Sequence, residues 1–342
     1  MPWKESGPEE EGRVIGRRLA DGAWTSKGTP LLLIGGTMTP FLRSARRLLA
    51  APLALLALPL PACAQAAPAA AAIDADPALW VVRDKDTTIY LFGTIHVLKP
   101  GLSWFDEAVK AAFDRSDEVV LELVLPDPAK MAGIVRAIGI APEGTPPLTQ
   151  RLPAGKRAAF TAAVENLGLP ANALDRYKPW LAATQLSVGP LQKTGYVAAN
   201  GPEEVVTAAA KAAGKTLTGL ETPEQQLGFF NGLSDAAQLK FLESTVDELP
   251  TLGKQMTTMV DAWSRGKPDI LAREMNDSLK DTPEVGRVLL TERNQRWAGW
   301  LKERLARPGT VFVAVGAGHL AGPESVQAQL KRLGVKAERV KY

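Results

Sequence analysis

The chain has 342 residues, with 40 Lys/Arg against 37 Asp/Glu and a formal net charge of +3. The stretch 1–64 holds eight of those cations and five of the anions, so the remainder carries 32 of each and is formally neutral. A neutral body offers no basic footprint for nucleic acid, and a single cysteine excludes an internal disulfide framework.

Arg43, Arg46 and Arg47 precede an apolar run over 48–60, and Ala62-Cys63-Ala64 supplies small residues after it. A positive segment, an apolar segment and an A-x-A site specify a secretory signal peptide over 38–64, hence an exported, periplasmic protein. The run is interrupted by proline and is short for a bilayer, so no transmembrane helix is expected in the mature chain. Leu60-Pro61-Ala62-Cys63 also reads as a lipoprotein box with Cys63 lipidated, although the proline is a poor match. Met38 stands just before this signal, so residues 1–37 read as an upstream start or a disordered lead. An alanine-rich linker is expected over 65–78. A globular domain over 79–342 follows, long enough for one well-buried core with an insertion.

Leu79–Arg83 and Thr87–Phe92 are β-rich runs around Asp84-Lys85-Asp86 and read as a hairpin. Ser103 is a candidate N-cap for a helix through Phe113, with Asp106 in its first turn. The nearly continuous apolar run from Glu118 to Val124 predicts a buried strand. From about 129 to 215 the chain is alanine-rich, helical in pattern and punctuated by proline. Its last helix is Pro202–Ala213, opened by Pro202, Glu203 and Glu204 and stopped by Gly214. Lys215–Glu221 reads as a strand, Pro223 opens a helix, and 234–265 reads as a helical pair broken at Leu249-Pro250. An amphipathic helix over 289–306, a strand from Val311, a closing helix over 323–333 and an edge strand over 336–342 complete the chain. The expected fold is a mixed α/β (α+β) domain: a central mixed β-sheet flanked by helices, with a helical insertion over about 129–215. The order strand, Gly-x-x-His, helix, strand occurs around both histidines and hints at a duplicated unit.

The molecule has two histidines, His96 and His319. Each ends an apolar run at a Gly-x-x-His, Gly93–His96 and Gly316–His319. His96, Glu122, Glu221 and His319 all fall at carboxyl ends of predicted strands, the edge where α/β sheets bind ligands. Two imidazoles and a carboxylate suit Zn, Mn, Fe or Co with positions left for water and substrate. Glu122 lies within an apolar strand and needs a metal, a cation or a rim position. Glu221 serves equally as a cap for the next helix or as a site residue. Residue chemistry alone assigns Arg293 and Asn294 to a solvated helix face, Thr94 and Ser103 to structural roles, and the tryptophans mostly to the core.

Leu91–His96, Glu122 in Val-Leu-Glu-Leu, Gly219–Thr222 with Gln226, Arg293-Asn294 with Trp297, and Phe312–Gly322 together resemble the TraB/GumN family, whose animal relatives are the Tiki metalloproteases. The resemblance runs from about 79 to 342. It implies a fold similar to the erythromycin-esterase and ChaN-like group. It also implies a divalent metal held by His96, His319 and Glu122, with Glu221 and Arg293 nearby. The activity so implied is metal-dependent hydrolysis of a peptide or small-molecule substrate, with Glu221 or Glu122 taking a proton from water and Arg293 stabilising an oxyanion. The alternative expectation is a non-catalytic binding protein or an exopolysaccharide-associated accessory that retains the same residues.

Overall fold

The computed structural model describes residues 72–279 and 281–342. The expected lead, signal peptide and Cys63 lie outside the described residues. In chain order the first elements are β1 (Ile73–Asp74), β2 (Leu79–Arg83), β3 (Thr87–Thr94), β4 (Leu102–Ser103), α1 (Glu107–Arg115) and β5 (Glu118–Leu123). Helices α2 (Pro128–Gly139), α3 (Leu148–Arg151), α4 (Ala154–Asn166), α5 (Pro179–Lys193) and α6 (Pro202–Ala212) then lead to β6 (Thr216–Glu221). Helices α7 (Pro223–Asn231), α8 (Asp235–Glu248), α9 (Leu252–Ser264), α10 (Pro268–Leu279), α11 (Pro283–Gly286) and α12 (Glu292–Leu305) come next. The chain closes with β7 (Gly309–Gly316), α13 (Val326–Arg332) and β8 (Ala337–Arg339).

The main sheet has the order β6-β5-β7-β3-β2-β8. Strands β6, β5, β7 and β3 run parallel, while β2 is antiparallel to both β3 and β8. The sheet is therefore mixed, as the sequence implies. Alternation along β7 divides the core between its two faces. Val311, Val313 and Val315 pack with Ile89, Leu91, Trp297, Leu301 and Leu330 beneath α12 and α13. Phe312 and Ala314 turn the other way, to Phe92, Trp104, Phe113 and Trp263 beneath α1 and α9. Two apolar faces per strand require two helical layers, and each fully buried Val or Phe contributes about 1.5–3 kcal/mol. The helical stretch forms its own cluster around Leu148, Phe160, Val164, Leu186 and Leu242, using α8 from the other side of β6.

Several expectations shift. β1 lies in the stretch expected to be linker, pairing in parallel with β4, and Ala75 behind it is buried. Asp106, not Ser103, is the N-cap of α1; the Ser103 hydroxyl instead donates to the Asp106 carboxylate at 2.5 Å. The long amphipathic helix becomes α12, preceded by a π-helical turn over Arg287–Thr291. The closing helix is shorter, because Ser325 caps it by accepting from Ala328 N–H. The expected duplication holds for element order only. The crossover after β3 lands on β5 beyond β7, whereas that after β7 lands on β8 at the far edge.

Candidate functional site at the carboxyl edge of the sheet

β3 and β7 are adjacent and parallel, with Thr94 opposite Gly316. Their pairing brings together two Gly-x-x-His motifs that stand near opposite ends of the folded chain in sequence. His96 follows β3, His319 sits in a 3-10 turn over Ala317–Leu320 after β7, Glu122 is in β5 and Glu221 ends β6. The four residues meet at one edge. The tightest marker of their convergence is Gly316. A Cβ there would lie 3.0 Å from Glu122 Oε1, 3.6 Å from His319 Cδ2 and 3.9 Å from His96 Cε1. Only a residue without a side chain leaves that shared space open.

Each imidazole is oriented through its Nδ1. His96 Nδ1 hydrogen-bonds Glu203 Oε1 at 2.5 Å, and the same oxygen accepts from Thr94 Oγ1 at 2.6 Å. His319 Nδ1 donates to Asn294 Oδ1 at 2.6 Å. The Asn294 amide nitrogen donates to the Glu324 carbonyl at 2.7 Å, so its oxygen is the end left for the imidazole. That bond fixes His319 with its proton on Nδ1 and its lone pair on Nε2. Burial, aided by the Arg293 charge and opposed by Glu122, pushes His319 down to about 3 and keeps the ring neutral. Trp297 covers it, ring centroids 4.4 Å apart.

Arg293 is the hub of the acidic side. It is 7% exposed and Asn294 is fully buried, so the solvated-face expectation fails for both. The helix turns this face inward to meet buried carboxylates that would otherwise be unpaired. Arg293 Nε and Nη2 grip Glu221 at 2.8 Å each, and Nη2 also reaches Glu122 Oε2 at 2.7 Å. Its Nη1 donates to His319 Nε2 at 3.1 Å and to the Leu289 carbonyl, inside the π turn, at 3.2 Å. Glu221 further accepts from Trp297 Nε1 at 3.1 Å and from Gln226 Nε2 at 3.3 Å. The capping alternative for Glu221 is thereby replaced: Thr222 and Gln225 form the capping box of α7. Burial would raise Glu122, but His319, Arg293, His96 and the Gly316 N–H, which donates at 2.6 Å, hold it down to about 2.

Glu203 is the residue that sequence reasoning passes over. In the sequence it is indistinguishable from Glu204, as one of two acids in the first turn of a helix. Gly201, the α6 N-cap, approaches the His96 carbonyl so closely that a Cβ would sit 2.5 Å from that oxygen, which sets Glu203 against the imidazole. Although burial opposes its charge, the His96 and Thr94 hydrogen bonds hold Glu203 below the usual carboxylate range. Its second oxygen, Oε2, is buried without a hydrogen-bond partner. Burial also works against charge on His96, yet Glu203 and Glu122 lift it to about 9. The His96 side chain is nonetheless 72% exposed, on the wall of an open groove, and solvent screens that pull.

That groove encloses about 520 Å³ and runs from His96, Glu122 and Glu203 past Leu123, Val124 and Leu125 towards Lys211. Glu122 and Glu221 share the Arg293 guanidinium while Glu203 faces His96, so three carboxylates against Arg293 and a protonated His96 leave one negative charge for a further cation. His319 Nε2 and Glu122 Oε1 are 3.7 Å apart. Two ligands each about 2.0–2.2 Å from a common ion lie roughly 3–4 Å from one another, so this pair fits one. Among the described residues, however, no group of three or more His, Cys, Asp or Glu forms a ready metal-holding cluster. Arg293 Nη1 stands on His319 Nε2, and it must withdraw before an ion can share that nitrogen.

The model of the TraB/PrgY/gumN family matches residues 78–339. A protein of Treponema pallidum (strain Nichols), described only as uncharacterized, is 23% identical over 267 residues, covering 72% of this chain and 78% of its own length. No solved structure matches. The match spans β2 to β8 and includes every residue of the cluster just described, and the chain belongs to the TraB/PrgY/gumN family.

Proposed function

We propose that this protein is an exported, periplasmic metal-dependent hydrolase, peptidase-like in its substrate, with His96, Glu122 and His319 as the ligands of a divalent ion (Mn, Co, Zn or Fe). The observation that carries the reading is the shared treatment of the two imidazoles. Each gives Nδ1 to a side-chain oxygen, Glu203 or Asn294, and so keeps Nε2 as the nitrogen for an ion, while His96 Cε1 and His319 Cδ2 both border the space above Gly316. Histidine ligands of metals are held in this way, with the second nitrogen fixed by a carboxylate or carbonyl. An ion there would supply Lewis-acid polarisation of a carbonyl and a water of lowered pKa.

The chain's own residues do the rest. Glu122 is kept ionised and aimed by Gly316 N–H and Arg293, and Glu221 holds the Arg293 fork in place. With both its oxygens engaged by Arg293, Trp297 and Gln226, Glu221 is a positioning residue. The proton released from water is assigned to Glu203, the carboxylate with an unused oxygen. Arg293 Nη1, seated on His319 Nε2, would be the donor to an oxyanion if an ion took that nitrogen. The apolar groove receives the substrate flank. Export rests on the charged, apolar and A-x-A order over 43–64. Among the described residues no helix is long and apolar enough to cross a membrane.

The guanidinium seated on His319 Nε2 favours a second reading, a binding protein that keeps the cluster without turnover. Elemental analysis of the purified protein beside a His96→Ala/His319→Ala variant decides between them. Near-stoichiometric metal, lost in the folded variant, together with metal-dependent cleavage of a peptide library, supports the hydrolase. No metal after reconstitution with each candidate ion refutes it.

A further inference from the structure

Away from the histidines, the helical stretch and the start of α8 border a cavity of about 420 Å³ whose lining includes Pro142, Arg151, Lys178, Leu233, Asp235 and Gln238. Gln238 is 6% exposed. Its Nε2 donates to the Leu233 carbonyl at 3.0 Å and the Asn231 carbonyl at 3.4 Å. Carbonyls only accept, so the amide cannot be turned round, and Oε1 is left buried with no hydrogen-bond partner. A buried acceptor left without a donor is destabilising. Gln238 borders the cavity, so a donor entering there is the partner this oxygen lacks.

Two cations line the same cavity. Arg151, its side chain 14% exposed, pairs with the largely exposed Asp235 carboxylate through Nη2. Lys178 Nζ donates to Asn231 Oδ1 at 2.6 Å. Both side chains keep further N–H donors, and one carboxylate against two cations leaves a single positive charge. The wall is held in advance of any ligand. Arg176 Nη2 donates to the Ala141 and Pro142 carbonyls at 3.1 and 3.2 Å, and Lys178 N–H to the Gly139 carbonyl at 2.8 Å.

We propose that this cavity binds a carboxylate bearing a neighbouring amide N–H, the chemistry of a peptide's carboxyl end or of an N-acylated amino acid. The carboxylate meets Arg151 and Lys178, the amide N–H donates to Gln238 Oε1, and an apolar side chain rests on Pro142 and Leu233. A simple anion satisfies the cations and leaves Oε1 alone, so the site discriminates by that one donor.

Calorimetry on the whole protein tests this with N-acetyl-L-leucine, N-acetyl-L-leucinamide and acetate. One charged and one neutral hydrogen bond predict that N-acetyl-L-leucine binds at least about tenfold more tightly than either comparison compound. Lys178→Gln should weaken it about fivefold or more while metal bound at His96 and His319 is unchanged, which separates this site from that one. Equal affinity for acetate would reduce the cavity to a bare anion site and overturn the proposal. So would no binding to the wild type, or undiminished binding to both Lys178→Gln and a folded Gln238→Met. The tripeptide Ala-Ala-Leu distinguishes the sources: tighter binding than N-acetyl-L-leucine marks a peptide end, and weaker binding marks an acylated amino acid.

Discussion

Gly316 meets Glu122 twice, through an N–H that donates to Oε1 at 2.6 Å and through an empty Cβ position 3.0 Å from the same oxygen. The backbone there, at φ −50° and ψ 133°, is open to any residue, so steric crowding alone demands glycine. Gly316→Ala should therefore fold yet push Glu122 off its donor and into the space the two imidazoles share. Metal affinity should fall by about 10–100-fold, the size of effect expected from disturbing a ligand's support. Wild-type affinity in a competition titration would remove the cluster from consideration as a metal centre.

Glu203 and His96 give a second, separable test. Glu203→Gln keeps the shape of the side chain but loses the charge that fixes Nδ1–H. Metal affinity is expected to drop about 10–100-fold and hydrolysis to drop further than affinity, since Glu203 is also assigned the proton. Because His96 must shed a proton to become a ligand, affinity in the wild type should rise with pH up to the region of 9, and this rise should shrink in the variant. An unchanged pH profile would break the link between the two residues.

Arg293 carries the stability prediction. Truncation to Ala leaves Glu122 and Glu221 buried and unpaired, which costs about 3–5 kcal/mol. Urea unfolding of the metal-free protein measures it. Adding Glu221→Gln should recover part of the loss, since it removes one of the stranded charges. A loss below about 1 kcal/mol would mean that the cluster is far more hydrated than its burial indicates.

Stability of the metal-free protein should peak near the ordinary histidine value of 6.5. The folded state holds a proton on His96 up to about 9, against an ordinary 6.5, so stability declines as pH rises between those values. Below 6.5 the unfolded chain takes a proton that buried His319, at about 3, refuses, and stability declines again. Glu122, at about 2 against 4.5, steepens that acid limb as pH falls through 4.5. The alkaline limb should be the shallower one, because the His96 ring is open to solvent. Thermal melts in chelator give the curve, and a His96→Ala protein that kept its alkaline limb would contradict the assignment.

The sheet and its edge are legible in sequence because β-branched runs ending at Gly-x-x-His announce both the strands and their termini. His96, Glu122, Glu221 and His319 could be placed at one edge from that pattern alone. Arg293 and Asn294 could not, because a helix face rich in polar residues reads as solvated until one knows that it covers carboxylates. Glu203 was hidden for another reason: acids in a first helical turn are common, and only the close seat of Gly201 on the His96 carbonyl distinguishes this one. The β1–β4 pair escaped because two-residue strands carry too little local pattern; tertiary packing supplies what their sequences lack.

β7 lies between β5 and β3, and its Gly316 finds Thr94 across nearly the whole intervening domain. The strands on either side of it are synthesised long before it, yet cannot close into one sheet until it arrives. Folding is thus ruled by a long-range closure, which is slow and comes late. Until then the chain exposes apolar strand edges, a state that invites aggregation and chaperone binding. His319 follows Gly309–Gly316 in the chain, so the side-chain cluster at the sheet edge is completed only in a finished fold.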